Sequence, residues 1–140
     1  IVQITAMIGS FVFVKIGDRI GIIKSIYINL IFWTLITLAV FITNDKNSFF
    51  IIGGFAGFFL GSTQSLSRAL MTFLTPLEIK TEFFGFYALM DKTSTLIGPL
   101  TFGLVSWLSG SQKLAILSVG FFFIVGMLLL NKVKVKEILK

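Results

Sequence analysis

Apolar residues in this chain come in long runs separated by short polar turns. A membrane-spanning helix needs about 20 mostly apolar residues to cross roughly 30 Å of hydrocarbon. The pattern predicts helices over residues 25–43, 49–74, 83–108 and 114–131, preceded by a run over 1–16 that reads as the end of a helix. The first of the four is almost purely apolar and the second is rich in glycine. The third carries a charged pair and a proline, and the fourth is short and dense in Phe, Leu and Val. Asn44-Asp45-Lys46-Asn47-Ser48 is a compact turn with N-cap candidates, Thr75-Pro76 breaks one span, and Ser109-Gly110-Ser111 separates the last two. The expected fold is therefore all-α and integral to a membrane, with about five transmembrane helices and a polar tail over 132–140.

Composition agrees. Of 140 residues, 56% are hydrophobic and 13% charged, about half the charged share that covers a soluble domain. Lipid must then be the solvent for much of the surface. The chain has no cysteine and no histidine, which removes disulfides, thiolate metal sites and imidazole catalysis. No paired carboxylates or nucleophile–base set appears, so neither an enzyme nor a cofactor is expected. The chain begins at Ile1, and its opening run lacks the charged start of a secretory signal. It reads as part of a longer protein with an N-terminal portion ahead of it.

The net charge of +6 reads as topology rather than as a nucleic-acid surface, because the basic residues lie between apolar runs. Lys15, Arg19, Lys24, Arg68, Lys80, Lys132, Lys134, Lys136 and Lys140 fall on one side, against Lys46 and Lys113 on the other. That bias places the first set, and the C-terminus, in the cytoplasm. The basic tail is then expected on the anionic inner leaflet of a bacterial-type plasma membrane.

Within this frame a few residues stand out. Gly17-Asp18-Arg19-Ile20-Gly21-Ile22-Ile23-Lys24 reads as a tight cytoplasmic loop. Gly21 can take positive φ, Asp18 can sit at a helix end, and Arg19 can pair with an acidic group on a neighbouring helix. Gly53, Gly57 and Gly61, four apart, put small residues on one helix face and let another backbone come close. Gln64, Ser67 and Arg68 follow on the same span. Polar groups in hydrocarbon are costly, so they are expected to face the bundle or a wet cavity, with Arg68 also able to reach the headgroups. Asp91 and Lys92 lie roughly 12 Å beyond Phe83 at helical rise, which reads as mid-span. They point about 100° apart, so each needs its own partner or water, and Thr95 follows one turn after Asp91. Gly98-Pro99 with Gly103 reads as a bend or hinge, with Thr93, Ser94 and Thr95 placed to re-satisfy carbonyls that Pro99 frees.

The Asp18-Arg19-x-Gly21 core resembles the signature loop of the major facilitator superfamily, although that loop's leading glycine falls at Val14 and its trailing basic pair at Ile22-Ile23. The run Gly61-Ser62-Thr63-Gln64-Ser65-Leu66-Ser67-Arg68-Ala69, then Phe83-Phe84-Gly85-Phe86-Tyr87, then Asp91-Lys92, then Gly98-Pro99-Leu100-x-Phe102-Gly103, looks like the vacuole-effluxer-like branch of that superfamily. This branch includes the autophagy-related amino-acid effluxers of fungal vacuoles and their bacterial relatives. The resemblance implies a twelve-helix transporter of two six-helix halves working by alternating access. This chain would supply the C-terminal part, from the end of helix eight through helix twelve, and the missing N-terminal half would be its partner. It implies a small solute, amino acids among the candidates. Gln64, Ser67, Arg68, Asp91, Lys92 and Thr95 would line or support the pathway, and Asp18, Arg19 and Gly21 would form a cytoplasmic latch. A membrane scaffold that keeps the same helical frame is the alternative.

Overall fold

The computed structural model describes residues 2–133, so residues 134–140 of the expected tail lie outside the described residues. The chain forms α1 (Val2–Ile20), α2 (Ile22–Ile42), α3 (Lys46–Leu74), a single 3₁₀ turn at Leu77–Ile79, α4 (Lys80–Ser109) and α5 (Gln112–Leu130). Among the described residues no strand occurs. By length and composition, α2, α3 and α5 can each cross a membrane. The fold is that of an all-helical integral membrane protein.

The turns follow side-chain chemistry. Asp45 caps α3, its carboxylate accepting from the Ser48 backbone N–H at 3.0 Å and the Ser48 hydroxyl at 3.1 Å. These bonds, the backbone one foremost, hold the Asp45 carboxyl below its ordinary range. Ser111 caps α5, and Gly110 ends α4 at φ 63, the left-handed position that glycine fills without penalty.

The expected cytoplasmic loop 17–24 is not a loop. Its residues continue α1 to Ile20, break at Gly21 alone, and resume as α2. Gly21 sits at φ 93, ψ 147. Its carbonyl takes the Ser25 hydroxyl at 3.0 Å and the Ser25 N–H at 3.1 Å, and its own N–H reaches the Gly17 carbonyl at 2.9 Å. One glycine reverses the chain because the donors and acceptors on both sides are already paired across it. A Gly21→Val variant places a β-branched residue at that φ. It is expected to cost about 1–2 kcal/mol, read as a lower unfolding temperature of the full-length protein in nanodiscs.

Three contacts set α2 and α5 antiparallel and in register. Lys113 Nζ donates to Asn44 Oδ1 at 2.5 Å, Gly120 faces Thr37, and Tyr27 Oη donates to the Met127 carbonyl at 3.1 Å. Trp33 stacks on Phe123 at 5.3 Å between them. These two helices, 21 and 19 residues long, define an apolar slab roughly 30 Å thick at helical rise. The buried core lies to one side, where Phe13 of α1 meets Phe58 and Phe59 of α3 edge-on and Leu66 closes the cluster.

The glycine stripe packs in part. A Cβ on Gly61 would collide with the Ala6 carbonyl, and one on Gly57 with Val2 and Thr5 of α1. Gly9, on α1, meets the Phe58 carbonyl in the same way. Gly53 meets nothing within 4 Å. Gly98 and Gly103 on α4 also meet nothing within 4 Å.

Candidate functional site

Polar side chains in a helical membrane chain are informative where they gather. One such gathering open to the surface is a groove between α1 and α3. It has a volume of about 370 Å³ and is walled by Gln3, Met7 and Ser10 from α1 and by Gln64, Ser65 and Arg68 from α3, over Ala6 and Gly61. The two helices run in the same direction, with Ala6 against Gly61 and Gly17 beside Leu66. The small residues at 6 and 61 bring the backbones together and form the floor. One turn further on, the longer side chains at 64 and 68 rise as a wall. Gln64 and Arg68, expected on one face, are there together. Ser67, one residue from Arg68, is half-buried and lies outside the groove lining.

A second polar cluster was not anticipated. Asn29 of α2, 1% exposed, donates from Nδ2 to Ser62 Oγ at 2.6 Å, and Ser62 is fully buried. Trp33 Nε1 donates to Thr63 Oγ1 at 2.9 Å, and that oxygen lies 3.3 Å from Asn29 Oδ1. Ser62 and Thr63 also reach the Phe59 carbonyl at 2.9 and 2.7 Å. The cluster is closed and satisfied, which suits a clamp between α2 and α3 rather than a ligand site. The signal for it was present: Asn29 is the only amide in an otherwise apolar span, and it meets the same rule of cost that picked out Gln64. Gln3 and Ser10 fall in the same class.

Asp91, Lys92 and Thr95 are exposed on α4, and α4 has no buried residue among those described. The structure does not bring them to the α1–α3 groove. Their depth also differs from the mid-span reading. The 18 steps from Ser109 back to Asp91 cover roughly 27 Å, the same rise as α5 from Gln112 to Leu130. Asp91 and Lys92 therefore stand near the level where α5 ends, at one boundary of the slab. The two counts differ because α4 is 30 residues long and α5 is 19, so the first turns of α4 project past the end of α5.

Pro99 sits inside a continuous α4. The hydroxyls of Thr93, Ser94 and Thr95 donate to the carbonyls of Leu89, Met90 and Asp91 at 2.8, 2.9 and 2.9 Å. They do not serve the Thr95 carbonyl that Pro99 leaves without its N–H. A Ser or Thr reaches back three or four residues along its own helix, so the positions that could serve that carbonyl are 98 and 99, held by Gly98 and Pro99.

Asp18 and Arg19 are exposed in the last turn of α1. Asp18 joins Lys24 on the rim of a mostly apolar cavity of about 510 Å³, walled by Ile20, Ile22 and Ile23 on one side and Leu70, Phe73 and Leu74 of α3 on the other. This cavity lies where α1, α2 and α3 meet at one end of the bundle.

Comparison with known proteins agrees with the helical membrane frame. The chain is 25% identical over 130 residues to an uncharacterized MFS-type transporter, YxiO, of Bacillus subtilis, covering 93% of this chain and 30% of that protein. It is 35% identical over 57 residues to autophagy-related protein 22 of Candida glabrata, covering 41% of this chain and 10% of that protein. It is 34% identical over 61 residues to the protein of the same name in Kluyveromyces lactis, covering 44% and 12%. The chain thus spans less than a third of the length of these curated relatives. No solved structure matches it. The family model described as "Vacuole effluxer Atg22 like" matches residues 1–139, nearly all of a multi-pass helical membrane chain whose small-residue packing and polar groove are described above, and the chain belongs to that family.

Proposed function

We propose that the protein carrying this chain is a secondary transporter of a small solute, amino acids among the candidates, and that the α1–α3 groove is part of its pathway. The observation that carries this reading is the groove itself: Gln3, Gln64 and Arg68 stand exposed in a chain otherwise built to face lipid. Such groups persist where they look onto a wet interior. The names of the relatives support the same class of activity. In this reading Asp91, Lys92 and Thr95 stand at the inner mouth, on a face of α4 that an N-terminal half would cover. Asp18, Arg19 and Gly21, at the α1–α2 break, act as a cytoplasmic latch as helices rock between two states. The C-terminus lies in the cytoplasm of a cell bounded by a bacterial-type plasma membrane.

The uncovered α4 also suits a scaffold that binds other membrane proteins, and one experiment separates the two. Tracer flux is measured in proteoliposomes for the full-length protein, Gln64→Leu and Lys92→Met. Transport predicts flux reduced about tenfold or more in Gln64→Leu, with unchanged unfolding temperature. Unchanged flux in both variants, together with loss of a co-purifying partner, refutes the pathway assignment and favours the scaffold.

A further inference from the structure

The lining of the α1–α3 groove is chemically one-sided. It offers the Arg68 guanidinium, the amides of Gln3 and Gln64, and the hydroxyls of Ser10 and Ser65, with no acidic side chain among them. Of these, only Ser10 has a hydrogen-bond partner among the described residues, the Met7 carbonyl at 2.7 Å. The acidic side chains among the described residues lie elsewhere: Asp18 on the rim of the inner cavity, Asp45 at the start of α3, Glu78 in the 3₁₀ turn, and Glu82 and Asp91 on α4. A guanidinium beside hydrocarbon needs a counter-charge, and no described residue supplies one here.

Position adds to this. Ser62 is level with Asn29 through their hydrogen bond, and α3 runs opposite to α2. Gln64 then stands roughly 8 Å inside the inner end of α2, with Arg68 at that end. The groove has its cation at the inner boundary and its neutral donors further in.

We propose that this groove is an oxyanion site, in which the Arg68 fork holds a carboxylate or phosphate group and Gln64, Gln3 and Ser65 donate to its remaining oxygens. Planar bidentate recognition is what the guanidinium provides. The proposal deepens the transport reading and rests on it for the ligand's origin, since the same group can arrive on a solute or on a lipid.

The test uses the full-length protein in nanodiscs of phosphatidylcholine, with and without phosphatidylglycerol, at constant ionic strength. Unfolding temperature is followed against inorganic phosphate, acetate and, as a control, methylammonium. A saturable rise with phosphate or acetate, with half-saturation weakened about tenfold or more in Arg68→Gln and less in Arg68→Lys, supports a solute oxyanion. A rise seen only with phosphatidylglycerol and lost in Arg68→Gln supports the same site filled by a lipid headgroup. Should Arg68→Gln fail to fold, Gln64→Leu keeps the charge and is expected to weaken binding by a smaller factor. No response to any anion, or a response undiminished in these variants, overturns the proposal. Tracer flux on the same preparations keeps the two readings apart. Flux intact in Arg68→Gln leaves transport standing without the anion site, and anion binding without flux leaves the site standing without transport.

Discussion

Replacing Gly61 by valine is expected to separate α1 from α3 and to remove about 3 kcal/mol of stability, the upper end of what overpacking costs. A Cβ at Gly61 would overlap the Ala6 carbonyl oxygen and lie 2.6 Å from its carbon and 2.9 Å from the Ala6 Cα. Those atoms are backbone, so no rotamer change relieves the contact and the whole helix must move. In lipid, helices are held to each other by packing and hydrogen bonds rather than by exclusion of water. A separation of even an ångström between α1 and α3 therefore removes most of what joins them. Gly9→Val is expected to behave alike, since its Cβ meets Phe58 backbone from the opposite side, with the Phe58 carbonyl carbon at 2.7 Å. Gly126→Ala, whose Cβ would meet only the Leu30 side chain at an ordinary 3.8 Å, is expected to change stability by less than about 0.5 kcal/mol. Thermal unfolding of the three full-length variants in one nanodisc preparation checks this. Equal behaviour of Gly61→Val and Gly126→Ala would contradict the packing described.

The contrast among these glycines shows what was legible in the sequence. Spacing of four identified a face, and apolar runs identified the helices, because both are local properties of one segment. Which members of the face touch a neighbour depends on how that neighbour packs, and Gly61 meets α1 backbone because Ala6 stands against it. Depth had the same difficulty. Asp91 and Lys92 looked central when counted along their own run. Their level is set by α5, which is eleven residues shorter than α4 and is aligned with α2 through Lys113, Gly120 and Tyr27. The polar residues that join α2 to α3 were legible in principle, since a lone Asn in an apolar span obeys the same rule as a Gln in one. What the sequence could not supply was the pairing of Asn29 with Ser62 across 33 positions, which only the packing of the two helices decides.

That pairing carries the second large effect. Asn29→Leu is expected to cost about 2 kcal/mol: interhelical hydrogen bonds in membranes reach about 1.7 kcal/mol, and the branched side chain must also fit beside a fully buried Ser62. A double-mutant cycle of Asn29→Ala with Ser62→Ala isolates the bond, with an expected coupling of about 0.5–2 kcal/mol. The bond also fixes the rotation of α3 about its axis. Ser62 and Thr63 face α2, and Gln64, one position on, turns about 100° away into the groove. Loosening the clamp lets α3 rotate, and Gln64 loses its aim before the helix loses its fold. Thr63→Val makes this visible, because it keeps the shape but removes the acceptor for the Trp33 indole. It is expected to shift Trp33 emission and to lower anion affinity or flux while Gln64 and Arg68 remain in place. A Thr63→Val protein with altered Trp33 emission and unchanged groove behaviour would show that the clamp secures α2 to α3 without orienting the site.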